Sequence, residues 1–436
     1  MTCIFIGLIS THTDGINGPW YWKWPWRRLP ALRVYGLMLL ASVPVILSVL
    51  SFGRKSIPVW LSIALLMIGS SAVRFTAAIV TTEPMSIALI HKGVVSPGIG
   101  SYWTSAAALV HQEHLLSVYP EAMEHLAFHA VNKPPGPVMY HLWMIRAFGY
   151  SDRTAILCGF GLGILATLSI PMMYYFARVI GAEKDAAFQG AAFLALCPGF
   201  LLFFPMTDPV YPIFTCALSI FWFNAIKEDS PKWSILFSLG LSIATFITYN
   251  FLVIGVFFAG MIWLITDRDF KRATVIGIKH SCIVAAVFIA AHILFFLFTR
   301  YDPIATFQTA YRIQNELIAH SPRSRIFPMT IPWDLHDFFL GAGWIAGLIA
   351  LYRLARRDFK TVSEKVILLG VAQIILTACT GLLQTETARV WNFLFPLLML
   401  PVGIELAKWN RASAAIVLIC LLLIAASLQR NMTFLQ

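Results

Sequence analysis

Apolar runs long enough to cross a bilayer recur along this whole chain, and that recurrence limits its fold more than any other feature. A hydrocarbon core of roughly 30 Å takes about 20 helical residues. Predominantly apolar runs of about that length lie near 31–53, 57–81, 154–180, 187–205, 210–226, 233–248, 250–266, 275–299, 336–353, 366–383, 391–407 and 412–428. In lipid, only helices and closed barrels satisfy their own backbone polar groups. A barrel would show short strands of alternating hydrophobicity, which are absent here. The reading is therefore all-α: a polytopic membrane helical bundle of about twelve spans, forming a single domain over 1–436. A composition 58% hydrophobic and only 12% charged agrees with it.

The net charge of +11 does not point to nucleic acid. The basic residues cluster in short connections: Lys184, Lys227 and Lys232; Arg268, Lys271 and Arg272; Arg353, Arg356, Arg357, Lys360 and Lys365; Lys408 and Arg411. All fall on one side of the predicted bundle, and their bias assigns that side to the cytoplasm. One segment resists this scheme. Lys23 to Arg33 falls outside unless the first thirty residues hold a further membrane-embedded piece or the first span lies elsewhere. Trp20, Trp22, Trp24 and Trp26 read as an interfacial belt before the first span. The seven cysteines lie mostly within apolar runs, with no disulfide or zinc spacing.

The polar residues gather on the opposite side, in an external loop at 82–153, a turn at 205–209, a loop at 300–335 and a turn at 384–390. The first loop opens at Thr81-Thr82-Glu83-Pro84 and closes its polar part at His129-Ala130-Val131-Asn132-Lys133-Pro134-Pro135-Gly136-Pro137. Within it, 102–118 and 137–149 have the short, amphipathic character of helices lying in the interface. Making 137–149 a true span would reverse every later connection and put the basic clusters outside. The loop at 300–335, with Tyr311, Arg312, Arg323 and Arg325, reads either as an interfacial helix gripping headgroups or as a cap over a groove.

These motifs, a carboxylate at an early span exit, a Lys-Pro-Pro element closing the first loop, Asp208 in the second and Glu386-Thr387-Ala388-Arg389 at a late external helix start, resemble the GT-C glycosyltransferases. The pattern is most similar to the protein O-mannosyltransferase and aminoarabinose-transferase group. The resemblance implies a sugar donor linked through phosphate to a polyprenyl lipid, and attack on the anomeric carbon by an acceptor oxygen of a glycan, lipid or protein. It implies a site on the outward face of a plasma membrane, in bacteria the inner membrane, and leaves room for a divalent metal ion. The family's first-loop acid is usually Asp, and this loop has none between Glu83 and Asp152.

Such chemistry needs a carboxylate within hydrogen-bond reach of the acceptor's proton. Glu83, Asp208 and Glu113 are the candidates. It also needs cations or donors around the departing phosphate, for which Lys133, His129 and Arg389 are the candidates. Each has a plainer reading: Glu83 as a loop opening, Asp208 as a turn or helix cap, Lys133 and His129 as headgroup contacts, Glu113 as a solvated face, and Arg389 as the partner of Glu386. Arg74, inside a predicted span, must face the bundle or reach its edge. Readings from other classes are a lipid-linked glycan flippase and a non-catalytic subunit of a glycan-assembly complex. A transporter would show repeated halves and broken mid-membrane helices, and no repeat is visible in the sequence.

Overall fold

The computed structural model describes residues 1–99, 101–319 and 326–435. Arg323 and Arg325 of the late external loop lie outside the described residues. Among the described residues the protein is helical throughout, and its only β-type pairing is one bridge between Trp26 and Met432. Seven helices are long and apolar enough to cross a membrane: Leu32–Ser51, Val59–Ile79, Asp152–Val179, Asp208–Glu228, Phe270–Thr299, Val362–Thr380 and Arg411–Asn431. The count is eight if a bent pair is one span. This set is compatible with a multi-pass membrane protein.

The predicted span at 336–353 is not a straight helix. It is two helices, Ile331–Gly341 and Ile345–Ala355, meeting at 108°. Gly343 and Trp344 both take positive φ at the elbow, a conformation that ends an α-helix. Four further predicted spans are shorter helices: Lys184–Leu196, Pro231–Ile247, Tyr249–Ile265 and Asn392–Leu406. Lys184–Leu196 packs closely on Asn392–Leu406. Small residues permit this contact, since a Cβ on Gly403 would sit 2.3 Å from the Ala186 carbonyl oxygen. Every residue from Ala186 to Leu196 is buried. A segment sheathed in protein need not match the bilayer thickness, because its neighbours and not lipid set its environment. Phe270–Thr299 is the opposite case. It runs 30 residues, yet only Ala273 and His280 are buried.

Helix ends are set locally. Thr361 and Glu364 form a capping box at the start of Val362–Thr380, which ends at Gly381 in the left-handed region. Asn410 caps Arg411–Asn431, and Ser151 caps the helix that begins at Asp152.

The first thirty residues hold Lys23 to Arg33 against the end of the last helix. Thr2–Ser10 is an extra helix packed against Arg411–Asn431. The basic stretch then runs along the C-terminal end of that last helix, where Arg27 and Leu29 N–H donate to the carbonyls of Asn431 and Arg430. It therefore shares a side with the large loop. The tryptophan belt is only partly superficial. Trp20 is exposed, but Trp24 is buried and donates its indole N–H to Asp337 Oδ1 at 2.7 Å.

Residues 80–151 form a folded layer of short helices with its own core. Ala88–Val95, Ser101–Ala108 and Gly136–Phe148 are its main pieces, packed through Trp103, Leu115, Tyr119, Met123, Leu142 and Ile145. The helix predicted at 102–118 ends at Ala108, and His111, Glu113 and His114 occupy an exposed turn before a 3-10 segment at Leu115–Val118. Pro303–Ala319 closes over this layer through Ala310 and Ile313. Arg312 pairs with Glu124, and the Asn132 amide donates to Gln314. Arg74 does face the bundle. It is 2% exposed, donates to the Gly163 carbonyl at 2.8 Å and to Thr167 Oγ1 at 3.2 Å, and stacks on Phe200.

Candidate functional site

Three separate loops bring charge to one place beneath this layer. Asp208 opens the helix Asp208–Glu228, where the exposed N–H groups of a first turn favour a carboxylate. Its Oδ2 lies 3.8 Å from Arg389 Nε. Arg389 comes from the connection after Val362–Thr380. It also pairs with Glu386 and places Nη1 3.5 Å from the Met206 sulfur. Lys133 arrives from the end of the first loop, close enough to interact electrostatically with Asp208, Arg389 and Glu386.

The local sequence explains these positions. Lys133 sits on a turn, its N–H donating to the Ala130 carbonyl at 3.2 Å and its own carbonyl accepting from the Tyr119 hydroxyl at 3.3 Å. Pro134 and Pro135 lead straight into Gly136–Phe148, with proline in its first turn. Gly136 is required by contact, because a Cβ would lie 2.5 Å from the Phe246 carbonyl oxygen. The Arg389 connection is held by two buried aspartates. Asp337 accepts from the Ala388 N–H at 2.9 Å and from Thr387 Oγ1 at 3.4 Å, while Asp334 accepts from the Thr385 N–H at 2.9 Å. Sequence reading missed both as positioning residues. Two acids three residues apart, Asp334 and Asp337, in a helix with a strong apolar face were the available signal.

A narrow cleft adjoins the cluster, lined by Gly93, Tyr102, His141, Met206, Thr207 and Asp208 among others. Burial, and then the nearness of Asp208, pushes the Tyr102 phenol up, with Arg389 opposing. It therefore meets the cleft as a neutral O–H. Burial lowers Arg389, but Glu386 and Asp208 more than offset this and hold it above its ordinary value. Burial takes Lys133 below the usual lysine range, with Asp208 and Glu386 pulling it back and Arg389 pushing it further down. His129 is held neutral. Burial and the positive charges of Arg389 and Lys133 bring it to about 3, against a smaller upward pull from Asp208 and from its hydrogen bond to the Gly98 carbonyl at 2.9 Å. With the ring nitrogen engaged by Gly98, His129 contributes orientation in this loop and no positive charge.

The other candidates fall elsewhere. Glu83 is 72% exposed and pairs with Arg33 at 2.7 Å, at the exit of Val59–Ile79. Glu113 is exposed in the turn after Ala108. Asp208, Lys133, Arg389 and His129 are thus brought together, while Glu83 and Glu113 each stand in another setting. Among the described residues no three His, Cys, Asp or Glu side chains converge closely enough to hold a metal ion. Asp208 and Glu386 both face Arg389, so their charge is already shared with a guanidinium.

Searched against models of known protein families and against curated proteins, the sequence has no match in either.

Proposed function

We propose that this chain is a membrane-embedded glycosyltransferase of the GT-C type, moving a sugar from a polyprenyl-phosphate-linked donor to an acceptor on the outward face of the membrane. The observation that carries this reading is the convergence of Lys133, Asp208 and Arg389, from three separate loops, beside one cleft. In this reading all twelve apolar stretches cross the membrane, and Ser101–Ala108 and Gly136–Phe148 lie at its surface. The basic connections set the opposite face toward the cytoplasm.

The cluster holds two cations and two carboxylates, and its charge balance suits the reaction. An acceptor hydroxyl attacks the anomeric carbon as the bond from that carbon to the phosphate oxygen breaks. Asp208 takes the hydroxyl proton. That proton neutralises the carboxylate facing Arg389 just as the phosphate, losing its sugar, gains one negative charge. Arg389 and Lys133 are then opposed only by Glu386 and can stabilise the departing lipid phosphate. Tyr102, as a neutral donor, can hold a sugar or acceptor oxygen in the cleft.

The 108° elbow is a feature that a lipid-linked glycan transporter would share. Yet its residues, Gly341-Ala342-Gly343-Trp344, carry no charge for a substrate to meet, and the acids of the helix before it, Asp334 and Asp337, are taken up by the connection that carries Arg389. The direct test supplies purified protein with a panel of labelled polyprenyl-phosphate sugars and looks for transfer; no transfer from any donor, with ATP-independent lipid flipping in its place, would replace the enzyme with the transporter. In oriented vesicles, cysteines placed at Phe128 and Lys360 should react with an impermeant reagent from opposite faces.

A further inference from the structure

The helix Pro303–Ala319 carries two uncharged stripes where its place in the fold uses only one. Its inner stripe, Thr306, Ala310 and Ile313, is buried, and Ala310 and Ile313 join the core of the loop layer. A second stripe, Ile304, Phe307 and Tyr311, repeats at the three- and four-residue spacing that aligns side chains along a helix. These three are 68%, 41% and 56% exposed. The helix has two charged residues, Arg312 and Glu316, which pair with each other at 3.2 Å on a flank away from the second stripe. Arg312 also pairs with Glu124 of the loop layer.

The preceding helix indicates what covers this stripe. Phe270–Thr299 is long and apolar enough to cross a membrane and exposes Ile293, Leu294, Leu297 and Phe298 near its end. Such side chains on a span have lipid for their neighbour. Only Arg300, Tyr301 and Asp302 separate this span from Pro303–Ala319. Arg300 takes a φ of 60°, which ends the span's helix and turns the chain aside. The next helix therefore starts close to the level where the span leaves the hydrocarbon, and its exposed stripe continues the span's apolar surface. In water that stripe would forgo the free energy of apolar burial. At the boundary between headgroups and acyl chains it gains it, and a tyrosine there keeps its hydroxyl in the polar layer.

We infer that Pro303–Ala319 is a membrane-surface helix, with Ile304, Phe307 and Tyr311 sunk into the bilayer boundary and its inner stripe seated on the loop layer. The occupant of the exposed stripe is lipid. The inference rests on Phe270–Thr299 crossing the membrane and goes beyond the transferase reading, since it needs no transfer chemistry. It also bears on the charged cluster. Gln314 of this helix accepts from the amide of Asn132, the neighbour of Lys133, so contact with the bilayer steadies the turn that carries Lys133.

Spin labels on single cysteines test this in lipid nanodiscs, in the full chain with Cys3, Cys282, Cys379 and Cys420 replaced by alanine, since these are not fully buried. Labels at Ile304→Cys, Phe307→Cys and Tyr311→Cys should collide more often with oxygen, which concentrates in lipid, than with a water-soluble nickel chelate. A label at Glu316→Cys should show the reverse order. The three stripe positions lie outside the packed cores, so each reports even if another variant fails to fold. A label at Phe298→Cys reports on the span itself and should favour oxygen. Nickel-dominated collisions along the stripe, with oxygen-dominated ones at Phe298→Cys, would overturn the inference and leave the span intact. Nickel-dominated collisions at Phe298→Cys as well would overturn both. Shielding of the stripe from both reagents would replace lipid with a protein partner and overturn the inference too. Each outcome is read without a sugar donor, so it is separate from success or failure of the transfer assay.

Discussion

The span exit at Glu83 and the loop junction at Asp208 offer the same chemical group in opposite settings. Glu83 is 72% exposed and its arginine partner comes from the span before it; Asp208 is 15% exposed and its arginine partner comes from more than a third of the chain away. An exposed pair gains little, since water already solvates both charges. A sheltered carboxylate beside a cleft, with two cations near it, is the setting that the proposed proton transfer asks for. On the proposed reading, the type of residue nominates a base, while its surroundings choose it.

The sharpest way to break this contrast is to exchange each acid for its amide. Asp208→Asn should lower transfer at least about a hundredfold, the scale of a general base, with folding intact by thermal melt. An inactive Glu83→Gln beside an active Asp208→Asn would reverse the assignment and move the base to the span exit. Lys133→Met comes next. Loss of a charged partner for phosphate should weaken donor binding roughly ten- to a hundredfold, read directly with a labelled lipid-phosphate sugar. Equal affinity would leave Arg389 as the phosphate ligand.

Asp337→Ala probes the support beneath the junction. It leaves the Trp24 indole and the Ala388 N–H without their acceptor, which should cost about 1–3 kcal/mol of stability and loosen the loop that carries Arg389. Asp337→Asn keeps an acceptor oxygen and should restore part of both stability and donor affinity; a melt unchanged in Asp337→Ala would remove it from the scaffold. The smallest effect belongs to the surface. Glu83→Gln and Glu113→Gln should each change transfer by less than about fivefold, as expected for exposed groups worth at most about 1 kcal/mol.

Basic groups draw a second line between the two sides of the bundle. On the side read as cytoplasmic, Arg353 is fully buried, yet its partner Glu364 belongs to the capping box of the next helix. Glu405 likewise answers Arg356 and Lys408 at neighbouring helix ends. Arg353 and Glu364 tie consecutive helices, Lys408 and Glu405 lie within one helix end, and Arg356 reaches Glu405 across 49 residues, so these pairs fasten helix ends. At the loop-side cluster the partners come from 133, 208 and 386–389, so no local hairpin could assemble them.

Several features could be read from residues alone, because each is a local consequence of composition or spacing. The length and apolarity of runs such as Val59–Ile79 and Phe270–Thr299 required helices, since no other open segment satisfies its backbone in lipid. The Pro-Pro-Gly-Pro stretch marked the start of Gly136–Phe148, and Asp208 and Arg389 stood out as charges at the edges of apolar runs. Other features depended on contacts between distant segments. The elbow at Gly343, the burial of Trp24 against Asp337, the pairing of Glu83 with Arg33 and the unpaired guanidinium of Arg74 leave no periodic trace. Hydrophobic pattern decides which segments leave water, one residue at a time; which charge faces which is decided by packing between helices far apart in the chain, and only the tertiary structure holds that information.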